Sequence, residues 1–206
     1  MGTMSATAAP APSDRSDFRT VTTGGAAVGV LTAVAVVAFL AASRLLPDVR
    51  GGVESLIVLA AGITVAFLPA QRTGARGVDG IAGAAAVGLV GTVVFSAIDI
   101  VLLRPFKAYP WTWDAIGGGS TWWYLPVWWM LGTFAAWMGA IVTARAATPD
   151  VPSPLARRAL PLVAATVIAV AVVRLAGMRV ALPVLTGGAF TLTLAALALV
   201  ALARKR

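Results

Sequence analysis

Val21 to Leu46 reads VTTGGAAVGVLTAVAVVAFLAASRLL, and its only charged residue is Arg44 near the end. A transmembrane helix needs about 20 predominantly apolar residues. The run is also longer than the roughly 7–15-residue apolar core of a cleavable signal peptide. It predicts an uncleaved signal anchor that serves as a first membrane-spanning helix.

Five further apolar stretches follow, Val53 to Ala70, Val78 to Leu103, Thr121 to Ala144, Ala159 to Leu175 and Val180 to Ala203. Each is long enough, at about 1.5 Å per residue, to cross most of a hydrocarbon core about 30 Å thick. The expected fold is therefore all-α, a polytopic transmembrane helical bundle of about six spans. Residues 1–20, rich in Ala, Pro, Ser and Thr, read as a disordered tail, and residues 21–206 as the six-helix domain. Composition agrees, because the chain is 59% hydrophobic and 12% charged, against about 45–50% and about 25% in soluble domains. The mean hydropathy of +0.90 points the same way.

Charge supplies an orientation. The side holding the N-terminus carries Arg15, Arg19, Arg72, Arg76, Arg145, Arg157, Arg158, Arg204, Lys205 and Arg206, against Arg44, Arg50, Arg104, Lys107, Arg174 and Arg179 opposite. The excess predicts cytoplasmic N and C termini and a bacterial-type inner membrane, with Arg104 to Ser120 forming an outer loop. The net charge of +8 is spread over the ends of the spans. That spacing suits anionic lipid headgroups and argues against nucleic acid as a partner.

The chain has no Cys and no His. Disulfides, thiolate metal sites, Cys nucleophiles, His bases and His ligation of a haem or pigment metal are thereby excluded, and no metal site is expected. The glycine runs at Gly24-Gly25 and Gly117 to Gly119 carry no phosphate-loop lysine.

All seven tryptophans and both tyrosines fall between Tyr109 and Trp137. Trp111 and Trp113 belong to the outer loop, and Trp122, Trp123, Trp128, Trp129 and Trp137 to the fourth span. At about 100° per residue the latter five surround the helix, as an interfacial belt would. Trp137, roughly 22 Å along the helix from Trp122, is deeper than a belt requires. These residues are the candidates for contact with lipid, carotenoid, quinone or another pigment, or with a partner subunit.

Two other patterns stand out. Gly80, Ala84, Gly88, Thr92 and Ser96 repeat every four residues, which makes one ridge of the third span small and suited to close helix packing. Gly132, Ala136 and Ala140 repeat the spacing in the fourth span, so spans three and four are an expected pair. Asp99 is an acid inside a predicted span, near its outer end. Arg104 and Arg174 are expected beside it as an interfacial ion-pair cluster, which Glu54 can join. The matching hexapeptides Val21 to Ala26 and Val184 to Ala189 are read as coincidence in a chain so rich in Gly, Ala, Val and Thr.

The functional expectation is a non-catalytic accessory or structural subunit of a larger membrane complex, photosynthetic or respiratory in type. It would use spans three and four and the Trp-rich loop. The alternative is a small permease or carrier using Asp99 and the outer arginines. A lipid-modifying enzyme ranks third, because it would require Asp99 and Asp114 to act together.

Overall fold

The computed structural model describes residues 15–103, 105, 124–146 and 155–204. The expected tail up to Asp14, Arg104, Asp114, Trp111, Trp113, Trp122, Trp123 and most of the loop 104–120 lie outside the described residues. Within them the chain is helical, without strands. It forms α1 (Phe18–Leu45), α2 (Arg50–Thr73), α3 (Val78–Ile98), α4 (Tyr124–Ala146), α5 (Leu155–Leu175) and α6 (Leu182–Ala203). A π-helical turn, Asp99–Leu103, prolongs α3. All six helices are long and apolar enough to cross a membrane.

Local chemistry sets several boundaries. Asp17 caps α1 by accepting a hydrogen bond from the Thr20 amide at 3.0 Å, which satisfies a donor that the first helical turn leaves open. The helix thus begins at Phe18, inside the segment expected to be tail. α2 ends at Gly74, with φ of +62°. There the Ala75 amide returns to the Ala70 carbonyl at 2.9 Å and the Gly74 amide to Gln71 at 3.3 Å. Gly177, with φ of +81°, closes α5 in the same way. Both are Schellman closures, and glycine adopts the left-handed conformation they require without a Cβ penalty.

Helices successive in the chain alternate in direction. Ser43 of α1 reaches Glu54 of α2, while the Arg15 amide donates to the Thr73 carbonyl at 2.7 Å. Gly51 and Gly62 of α2 approach Leu182 and Phe190 of α6, so those two helices run parallel. The start of α1 and the end of α6 consequently share one end of the bundle, here the termini end. The α1–α2 and α5–α6 turns lie at the far end.

In lipid, apolar surface alone does not drive helices together, so close van der Waals approach and polar links hold the bundle. α3 is central to this packing. One face meets α1, where a Cβ on Gly91 would stand 2.8 Å from Val28, and one on Gly29 would stand 2.7 Å from the Gly91 carbonyl. Another face meets α4, where a Cβ on Gly88 would stand 2.6 Å from the Ala136 Cβ and 2.7 Å from the Gly132 carbonyl. Gly80, Ala84, Gly88 and Ser96 are buried and Thr92 is half-buried, its methyl group against Gly132. Gly139 of α4 lies against the Ala66 carbonyl of α2.

A second core forms where α2, α4, α5 and α6 meet, from Phe67, Met138, Ile141, Leu162, Phe190 and Leu194. The Thr166 and Thr193 hydroxyls, 3.0 Å apart, link α5 to α6 within it. The matching hexapeptides occupy unlike places. Gly25 lies beneath Val90 of α3 near the termini end, whereas Gly188 of α6 faces open space near the far end.

Candidate functional site

Two buried carboxylates mark the far end. Thr73 donates to the Gly80 carbonyl at 2.9 Å and ties α2 to α3 at the termini end. Glu54 and Asp99 each stand nineteen residues from that tie along their own helices, a rise of about 28 Å. Both acids therefore sit at the far end of the bundle, at a distance from the tie comparable to the roughly 30 Å thickness of a hydrocarbon core.

Glu54 is 3% exposed. Its Oε1 accepts hydrogen bonds from the Ser43 hydroxyl of α1 and, at 2.8 Å, from Nε of Arg50 one turn earlier on α2. The ion pair is asymmetric, since the arginine side chain is 57% exposed and the glutamate 4%. A buried carboxylate needs such donors, because burial without them is costly. Glu54 thus pins the guanidinium by one nitrogen and fixes the α1–α2 turn through Ser43.

Asp99 opens the π-helical turn and is 2% exposed. The wider turn keeps it inward while Ile100, Val101 and Leu102 face outward. Asp99 is engaged with a neighbour. π-turns inside α-helices occur frequently at functional sites.

The expected pairing of Asp99 with Arg174 does not form. Arg174 is exposed on α5, and α5 packs on α6 and lightly on α2 while α3 packs on α1, α2 and α4. Proximity to one end of the bundle was the basis of that expectation, and helix order around the bundle separates the two residues. Glu54 finds its partners on α1 and α2 instead.

The described tryptophans take three roles. Trp128 packs edge-on against Phe95 of α3, with centroids 6.4 Å apart and planes at 68°. Trp129 is partly buried, and its Nε1–H has no hydrogen-bond partner among the described residues. Trp137, near the middle of α4, is 48% exposed. It shares an arc of about 120° with Val127, Met130 and Leu131, all exposed. The same side of α4 also carries Phe134, packed against the second core, and Met138 and Ile141, buried in it. Val127, Met130 and Leu131 toward the far end of α4, and Trp137 just past its midpoint, are therefore uncovered apolar positions.

Sequence reasoning missed three features: the Gly25–Gly29 contact with α3, the Ser43–Glu54–Arg50 link and the π-turn. The first had a legible signal in the Gly-x-x-x-Gly spacing of GAAVG. The second depends on how the short Leu46 to Val49 turn folds back, which spacing does not encode.

Among the described residues no group of acids could hold a metal ion. Together these features define a six-helix bundle of the multi-pass membrane type, with acids at the far end and an apolar face on α4. Comparison with protein families, characterised proteins and solved structures finds no match to this chain.

Proposed function

We propose that this chain is a non-catalytic accessory subunit of a larger membrane assembly, inserted with both termini in the cytoplasm of a bacterial-type inner membrane. Its contact surface is the exposed side of α4 from Val127 to Trp137 together with the Trp-rich loop before it. The observation that carries this reading is the α4 face. Val127, Met130, Leu131 and Trp137 are exposed on a helix whose Met138 and Ile141 are buried by other helices of the same chain. A tryptophan at tail depth gains little from water or headgroups, whereas a flat apolar surface, such as a partner helix, carotenoid or quinone, uses its full area. The smooth Gly and Ala contacts inside the bundle suit a rigid scaffold.

Extraction in mild detergent followed by native mass spectrometry tests this. The expected result is a complex with a second membrane protein or an apolar chromophore that weakens in Trp137→Ala. A lone chain from native membranes, unchanged by that substitution, overturns it.

A carrier role is the second reading, favoured by the burial of Asp99 on a π-turn. Solute or proton flux in proteoliposomes that vanishes in Asp99→Asn would displace the first reading.

A further inference from the structure

We propose that the groove between α1 and α2 binds one acyl chain of an anionic phospholipid whose phosphate is held by Arg50. The groove is about 220 Å³ and is lined by Leu31, Thr32 and Ala35 of α1 and by Ile57, Ala61 and Thr64 of α2, among others. Both threonine hydroxyls are turned back onto their own helices, Thr32 to the Val28 carbonyl at 2.8 Å and Thr64 to Ala60 at 2.9 Å. The groove accordingly presents carbon to its occupant, as a hydrocarbon chain requires.

Arg50, Ile57, Ala61 and Thr64 follow one another by seven, four and three residues, the spacing of a single helix face. Arg50 therefore stands over the groove, with Ile57 about 10 Å and Thr64 about 21 Å below it. Half of a hydrocarbon core is about 15 Å. A lipid whose phosphate lies level with Arg50 thus sends its tail through this depth.

The guanidinium is prepared for a phosphate. Its Nε is committed to Glu54, and Glu54 is held in turn by Ser43. Its terminal amino groups have no protein hydrogen-bond partner among the described residues, and the side chain is more than half exposed. Paired N–H groups in a fixed plane match phosphate oxygens. Arg50 is also the exposed partner of its pair, with Glu54 buried beneath it, so the guanidinium is the charge that the mouth of the groove offers to a ligand. Glu54 acts here as a positioning residue. The site lies on α1 and α2, away from the α4 face, and does not depend on a partner subunit.

The test uses the full chain in mild detergent with equimolar phosphatidylglycerol and phosphatidylcholine, and native mass spectrometry to count bound lipid. Wild type should retain one phosphatidylglycerol in preference to phosphatidylcholine. Arg50→Gln should reduce that preference about fivefold, the effect of one cation at an anionic surface, while a lipid is still retained. Ala61→Trp should abolish retention by filling the groove, and Ala60→Leu, at a lipid-exposed position, should weaken it without burdening the fold. Equal retention of the two lipids by wild type overturns the proposal. So does a preference that survives Arg50→Gln, or retention that survives both groove-filling variants.

Discussion

Individual residues in this bundle differ most in how much space surrounds them. Gly88 has the Ala136 methyl and the Gly132 carbonyl where a Cβ would go, and Gly188 has open space. Gly88→Val should therefore destabilise the fold by roughly 1–3 kcal/mol, the cost of overpacking, visible as a lowered midpoint of thermal or detergent unfolding. Gly188→Ala should leave the midpoint in place. Equal midpoints for the two variants would mean that α3 and α4 do not meet at Gly88. Composition alone cannot separate these glycines, because both belong to Gly-rich apolar runs and only the neighbour across the gap distinguishes them.

Asp17 adds a pH-dependent term outside the spans. The Thr20 hydroxyl, then the Thr20 amide, hydrogen-bonds its ionised form and holds its pKa below the ordinary carboxylate value. A depressed folded pKa means that the cap stabilises the helix start above the unfolded pKa. That contribution is lost as pH falls through the folded pKa. Amide exchange at Thr20 should accelerate on acidification through this range, and Asp17→Asn should flatten the dependence. A Thr20 amide insensitive to pH beyond the intrinsic exchange chemistry would contradict the cap.

At the scale of elements, α5 is the least enclosed helix. Only Ala159, Leu162 and Thr166 of it are buried, and the Thr166–Thr193 contact ties it to α6. Side-chain hydrogen bonds between membrane helices average about 0.6 kcal/mol in double-mutant cycles. A cycle of Thr166→Ala and Thr193→Ala should return a coupling of about that size. A coupling near zero would show that the hydroxyls do not meet.

The spans were legible because lipid enforces a simple rule: every backbone polar group must be satisfied within the helix, so long apolar runs become helices. Ends were less legible. The fifth apolar stretch runs from Ala159, after Arg157 and Arg158, yet α5 starts at Leu155. An exposed arginine in a first turn, such as Arg157, keeps helical backbone while its side chain reaches toward water. The π-turn at Asp99 left no mark, because DIVLL contains neither Gly nor Pro. The link between Ser43 and Glu54 was invisible for a different reason: it joins two helices, and the ion pair within α2 alone would not have disclosed it.

For the whole molecule, antiparallel packing gives a clean test of topology. Asp79 is exposed at the termini end and Met178 at the far end. The chain has no native cysteine, so Asp79→Cys and Met178→Cys report without background. A membrane-impermeant thiol reagent should label Met178→Cys in intact cells and Asp79→Cys only after the inner face is opened. The reverse pattern would invert the orientation, and labelling of both from one side would refute the six-span arrangement.

The central place of α3 also bears on how the protein is made. α1, α2 and α3 pack against one another pairwise, and the Thr73–Gly80 and Gly91–Val28 contacts need nothing that follows residue 103. Chains emerge N-terminus first and fold in that order. A ribosome-bound nascent chain could thus close a three-helix unit before α4 is synthesised, presenting α4, α5 and α6 with a finished wall on which to dock.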